Sequence, residues 1–306
     1  MVFKWETVAD VSGKVAIVTG ANAGLGLETT RLLAAKGMTV IMACRNADKA
    51  EAARAQLLSA QPQAKLHVLP LDVSRLSSVH EFAALFLAQY GQLDVLINNA
   101  GVMFPPFELT EDGFELQMAT NYFGHFLLTG LLLPRLESTP GARVVTLSSI
   151  AHRRGFIDLN DLNSRQRYSR VAAYAQSKLA CLMFSFELQR RLQSAGYQTI
   201  SVAAHPGVSN TELSRYLPAW LMRIVGPVFL QSAQAGAQPT LYAALGDDIR
   251  GGDFTGPRGF RELRGRAVKV DCARRARNAE VARQLWQQSE QLTGLQWLSE
   301  QQSDQG

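Results

Sequence analysis

Six short β-branched or aliphatic runs alternate with longer stretches of helical period, and this alternation limits the possible folds more than any other feature. Val15–Val18, Thr39–Met42, Leu66–Leu69, Val95–Ile97, Val144–Leu147 and Ile200–Ala203 read as strands. Amphipathic stretches at about 25–36, 46–60, 75–90, 111–136, 173–195 and 232–246 read as the helices between and after them. Several runs are apolar throughout, as parallel strands covered on both faces require. Short connections between β and α units then predict an α/β chain: a single-domain Rossmann fold, a doubly wound, mainly parallel sheet with helices on both faces. No fixed-period repeat, low-complexity block or Pro/Ser linker interrupts the 306 residues, so one domain over 1–306 is expected. Its polar tail from about Ser299 is expected to fray.

Composition removes several function classes. Cys44, Cys181 and Cys272 are scattered and His67, His80, His125, His152 and His205 show no ligand spacing. Neither a disulfide framework nor a metal site is expected. No apolar run approaches the ~20 residues of a membrane span, and the charged N-terminus MVFKWETVADVSGK lacks the apolar stretch of a signal peptide. A cytoplasmic location, with membrane contact at most peripheral, is the expectation. The net charge of +5 first points to an anionic polymer. Eight basic residues against two acids between Arg258 and Arg277 give that segment +6, leaving −1 for the remainder. The basicity is therefore local. It is read as solvated surface broken by Gly259 and Gly265, or as steering for an anionic substrate or phospholipid, and no nucleic-acid partner is expected.

After the first strand comes Thr19-Gly20-Ala21-Asn22-Ala23-Gly24-Leu25-Gly26, leading into a helix. Glycines let a chain approach a pyrophosphate closely, and the helix N-terminus offers free N–H groups and partial positive charge. A glycine-rich β–α turn can also be tight packing alone, but its place after the first strand of a βαβ unit favours phosphate binding. An acid at the end of the second strand would bind a ribose 2′-hydroxyl. Here that strand ends Met42-Ala43-Cys44-Arg45-Asn46, without an acid. Arg45 suits a 2′-phosphate, which favours NADP(H) over NAD(H); the bland alternative is an arginine on a solvent-facing loop.

Further along are Asn98-Asn99-Ala100-Gly101, Asn121, Ser148-Ser149 and Tyr174-Ala175-Gln176-Ser177-Lys178. Tyr174 and Lys178 are four apart in a helical segment and so share a face. An ammonium beside a phenol favours the phenolate, which brings tyrosine from near 10 towards the working range. A lone YxxxK arises by chance in many helices. The ordered set of glycine loop, NNAG, Ser-Ser after a strand and YxxxK is far more specific.

With these motifs in order, the sequence resembles the short-chain dehydrogenase/reductase family over about Ser12 to Gly256. It looks like the branch containing retinol dehydrogenases and the oxidoreductase domain of WW-domain oxidoreductase, which places a long insert between serine and tyrosine; 25 positions separate Ser149 from Tyr174 here. The resemblance implies that Gly20, Asn22, Gly24, Leu25 and Gly26 form the phosphate loop. Asp72 and Val73 would flank the adenine, and Asn98, Ala100 and Gly101 would support the cofactor. Pro206, Gly207, Val208 and Thr211 would lie near the nicotinamide. Ser149 would hydrogen-bond the substrate oxygen, Tyr174 would move the proton, and Lys178 would hold the ribose and lower the tyrosine pKa. Asn121 would anchor a relay water. Ser148 stays open beside Ser149, although register favours the second serine. Homodimers or homotetramers through the helices at about 111–136 and 173–195 are the family's usual assemblies, although long-insert relatives can be monomeric.

The core is placed at about 12–256, a lid at about 209–231 and a basic extension at 257–306. The lid's apolar composition points to a small apolar carbonyl or alcohol substrate. A core helix and a shallow membrane contact compete for the same segment. Met103, Phe104, Phe156 and Ile157 are candidate pocket walls or packing residues, and His125 and His152 are read as structural. The function expected is hydride transfer between nicotinamide and such a substrate, with Tyr174 as acid/base. The alternative is a cofactor-binding redox sensor or scaffold with little turnover.

Overall fold

A computed structural model describes residues 2–207, 232–259 and 262–298. The expected lid, with Val208 and Thr211, and the tail from Ser299 lie outside the described residues. All six expected strands form: β1 (Val15–Thr19), β2 (Thr39–Cys44), β3 (Leu66–Pro70), β4 (Val95–Asn98), β5 (Arg143–Leu147) and β6 (Ile200–Ala204). Two more follow, β7 (Phe254–Pro257) and β8 (Ala267–Lys269). The sheet order is β3-β2-β1-β4-β5-β6-β7-β8. Every pairing is parallel except β7 with β8, which is antiparallel. The order reverses between β1 and β4, which opens a crevice at the strands' carboxyl ends, where doubly wound sheets bind ligands.

The helices are α1 (Gly24–Ala35), α2 (Ala47–Ala60), α3 (Leu76–Gln89), α4 (Gly124–Glu137), α5 (Arg170–Ser194), α6 (Ala233–Leu245) and α7 (Ala279–Thr293). Alternate side chains of β1 enter opposite cores. Ile17 joins Phe82, Phe126 and Phe184 on one face, and Ala16 and Val18 join Leu33, Val40 and Tyr242 on the other. All of β1 is buried, so its run of apolar residues serves two layers at once. Among the described residues no helix is long and apolar enough to cross a membrane.

Three expectations need correction. The single helix at 111–136 is instead a turn at Leu116–Met118, a π-helical stretch Ala119–Phe123 and then α4. A tight turn at its start, with Gly113 N–H donating to Thr110 O, sets the chain off the helical path. The hydrophobic core also reaches well past residue 256. α7 sends Trp286 into a fully buried aromatic group with Phe126, Phe184 and Trp297, at ring separations of 4.6–5.8 Å. Arg191 lies over the Trp286 ring at 4.6 Å. Burying a large aromatic is worth about 1.5–3 kcal/mol, enough to tie α7 to the domain. Gly130 of α4 faces Leu295 and Trp297, so part of the surface that the resemblance offers for subunit pairing is covered within the chain.

Nor is the basic segment only a solvated surface. Gly259 N–H donates to Arg264 O in the turn joining β7 to β8, and Lys269 pairs with Asp253 at 2.8 Å. Arg277 stacks over Phe186 at 4.7 Å.

Candidate active site

The cofactor cradle begins where β1 ends. Gly20 has a φ of +66°, and a Cβ on Gly26 would stand 2.3 Å from Gly20 O and 2.6 Å from Asn99 Nδ2. Only a bare backbone lets α1 start this close to the strand end. Ala23, ahead of α1, provides no side-chain cap, so the first-turn N–H groups of Gly24, Leu25 and Gly26 face a cleft of about 470 Å³. That cleft is also lined by Gly20, Asn22, Arg45, Asp72, Val73, Ala100 and Gly101. Thr120 Oγ1, buried in the same wall, has no partner among the described residues. A glycine cradle under a helix N-terminus and an unsatisfied buried hydroxyl fit an elongated phosphorylated ligand.

The cleft separates the expected residues from their neighbours. Asn98 does not line it: its side chain donates to Thr129 Oγ1 at 3.0 Å beneath the sheet. The next residue, Asn99, takes that place and ties the cradle down, donating from Nδ2 to Thr19 O at 2.7 Å. At the far end Asn46 and Lys49 join Arg45. Asn46 caps α2 by accepting from Lys49 N–H; the four-residue spacing of Arg45 and Lys49 was the available signal. Arg45 Nε is 4.0 Å from Asp72 Oδ2, and its side chain is 73% exposed. Asp72 Oδ1 is taken by Ser74 N–H and O–H. The Cys44 thiol accepts from the N–H groups of Ala21 and Asn22, and burial pushes its pKa up to about 11, so it supports the loop as a neutral group.

Tyr174 and Lys178 lie one turn apart on α5, both buried. Lys178 Nζ is 5.9 Å from the Tyr174 ring centre and donates to Leu147 O at 3.2 Å. A Cβ on Gly101 would be 3.5 Å from that ammonium, so Lys178 lies near both the tyrosine ring and the Gly101 wall of the cleft. The two serines part company. Ser148 is buried and donates to Lys178 O at 2.7 Å. Ser149 caps the 3₁₀ helix Ile150–Arg154, its Oγ accepting from Ala151 N–H at 3.2 Å, which leaves its own proton to donate elsewhere. Asn121 sits in the π-helical stretch, a geometry common at functional sites. Its side chain accepts from Val102 N–H at 2.8 Å and donates to Val102 O and Ser177 Oγ. The loop after Gly101 is thereby fastened to α5.

His125 and His152 are both buried, and burial pushes each imidazole down to about 4. Asn121 O can only accept, so His125 Nδ1 carries the proton and Nε2 accepts from Thr19 Oγ1 at 2.9 Å. Thr19 Oγ1 in turn accepts from Asn99 and Ala100 N–H. By the same logic His152 Nδ1 donates to Ser149 O at 2.6 Å, and its Nε2 accepts from Ala273 N–H. Both histidines hold backbone around the expected catalytic residues. Of the candidate walls, Phe104 packs edge-on to Tyr174 with ring centres 5.2 Å apart, at a φ of +61°. Ile157 belongs to the core and Phe156 is 70% exposed. Pro206 and Gly207 follow β6, at the edge of the described residues.

The family model described as short chain dehydrogenase matches residues 14–221. Human retinol dehydrogenase 12 is 43% identical over 299 residues, covering 95% of this chain and 90% of the relative. Mouse polyprenol dehydrogenase is 41% identical over 290 residues, covering 92% and 84%. A solved structure of a protein from Mycobacterium paratuberculosis superposes with a TM-score of 0.82 at 44% identity, covering 97% of this chain and 99% of that one. On this agreement of family match, overall identity and fold, the chain belongs to the short-chain dehydrogenase family, in its retinol dehydrogenase branch.

Proposed function

We propose that the chain is an NADP(H)-dependent oxidoreductase interconverting an apolar carbonyl and its alcohol, with Tyr174 moving the proton. The observation that carries this reading is the placement of Lys178, whose ammonium lies 5.9 Å from the Tyr174 ring centre and beside the Gly101 wall of the cleft. When bound, the nicotinamide supplies or accepts the hydride. Gly20, Asn22 and the first turn of α1 would hold its phosphates, and Arg45 with Lys49 would hold the 2′-phosphate. Ser149 donates its hydroxyl proton to the substrate oxygen, and the Tyr174 hydroxyl delivers a proton to that oxygen during reduction. Lys178 holds positive charge beside the phenol, which stabilises the tyrosinate left behind. In the oxidative direction tyrosinate takes the alcohol proton.

An apolar substrate is supported by the Phe104 ring against Tyr174. It is supported also by relatives named for retinol and polyprenol, both long apolar alcohols. A panel of apolar aldehydes and ketones with NADPH, followed at the reduced-nicotinamide absorbance band, tests the reading. Turnover in the intact chain that vanishes in Tyr174→Phe is the expected result; turnover surviving that substitution overturns the mechanism.

A further inference from the structure

Glu262 lies in the β7–β8 connection, far in sequence from every residue of the proposed mechanism, yet its carboxylate joins two loops of the site. Oε1 accepts from Arg153 Nη2 at 2.7 Å. Arg153 belongs to the 3₁₀ helix that Ser149 caps, and the same nitrogen donates to Asp271 O at 2.8 Å. Oε2 lies 3.0 Å from His205 Nε2. His205 Nδ1 accepts from Gly207 N–H at 3.3 Å, so the imidazole proton resides on Nε2, in contact with the carboxylate but not aligned for a hydrogen bond to it. His205 is fully buried, and Gly256 leaves the space it fills, since a Cβ there would be 2.1 Å from Nε2.

Backbone geometry points the same way. Glu262 has a φ of +58°, a left-handed conformation that costs a non-glycine residue energy and persists where surrounding contacts impose it. Gly207, at a φ of +72°, packs so closely that a Cβ would be 2.4 Å from Leu263 O. The connection therefore packs on the 205–207 turn by backbone at Leu263 and sets a charged side chain against His205. The carboxylate remains ionised: burial opposes this, but the adjoining His205 and the nearby Arg153 charge hold its pKa below the usual carboxylate value.

We propose that Glu262 is a positioning residue that binds the Ser149 helix to the His205–Pro206–Gly207 turn, so that the substrate-oxygen donor and the nicotinamide side of the site keep one fixed spacing. This rests on the function proposed above. A misplacement of reacting groups by a fraction of an ångström lowers the chemical step more than binding.

The test compares Glu262→Gln, Arg153→Met and their double variant in the full chain, with Arg153→Lys as the milder change should either single variant fold poorly. Hydrogen exchange of the cofactor-free protein is read over residues 148–155 and 203–207. Both segments are expected to exchange faster in each single variant, and the double variant to add nothing further. Turnover at a temperature well below unfolding is expected to show kcat down about tenfold with KM within about twofold. Exchange that rises in one segment alone, or in neither, overturns the proposal, as does unchanged kcat despite loosening of both. A wild-type chain inactive on every carbonyl overturns the function reading instead, while the exchange measurements still decide the coupling.

Discussion

Removing the positive charge at the far end of the cleft gives a sharp test of cofactor choice. Arg45→Ala should cost the fold little, because its side chain is 73% exposed and its contact with Asp72 spans 4.0 Å. Ion pairs of that kind contribute at most about 1 kcal/mol. Its value lies in an incoming phosphate: a charge-assisted hydrogen bond is worth about 1.5–3 kcal/mol, and solvent screening at this exposure trims it towards about 1.4 kcal/mol. That is about tenfold in affinity. Lys49 lines the same end of the cleft, so its loss should add a comparable factor. Arg45→Ala/Lys49→Ala should weaken NADPH by about a hundredfold, with NADH, which lacks the 2′-phosphate, within about twofold. The assay is equilibrium titration of reduced-nicotinamide fluorescence with both cofactors, at one fixed salt concentration because exposed charges are screened. Equal loss for the two cofactors, or unchanged NADPH affinity, refutes the assignment.

Other outcomes follow from the same geometry. Ser149→Ala should lower kcat by about 10²–10³, whereas Ser148→Ala, losing its bond to the Lys178 carbonyl, should mainly cost about 1 kcal/mol of stability; urea titration and steady-state rates separate the two. His125 and His152 titrate near 4 in the folded chain against about 6.5 when unfolded. The unfolded chain thus binds more protons between those values. Stability should fall as pH drops from about 6.5 to about 4 and level off below, and thermal unfolding of His125→Asn against the parent should show a shallower slope. Trp286→Ala should destabilise by about 3–5 kcal/mol, read from the urea midpoint, since it empties the centre of the aromatic group.

The parts of the fold that were legible were those carried by runs of one character. β1, β2 and β4 to β6 announce themselves because strands buried on both faces are mainly apolar, and the half-buried edge strand β3 by its short run Leu66–Leu69. β7 and β8 do not: Phe254–Pro257 contains Gly256 and Pro257, and Ala267–Lys269 is three residues long. α7 carried a readable signal in Ala282, Leu285, Trp286 and Ser289, all inward on one face, but the arginines before it drew attention to solvent. Within the proposed site, residue types at motif spacing single out Tyr174, Lys178 and the glycine loop, and the loop lines the cleft. Register alone favours Ser149 over Ser148, whereas Asn98 against Asn99 depends on which way the strand end turns. Glu262 was beyond reach of the sequence, since its partners Arg153 and His205 lie 109 and 57 positions away.

The indoles of Trp286 and Trp297, with ring centres 4.6 Å apart, are close enough for their electronic transitions to couple. They should give the chain a near-ultraviolet circular dichroism signal that is strong only while the C-terminal helix is docked. Because the same core cluster contains Ile17 of the first strand, that signal reports on both ends of the chain together. Its disappearance should coincide with loss of far-ultraviolet signal in a single transition, and any lag between the two would reveal a terminal helix that comes away first.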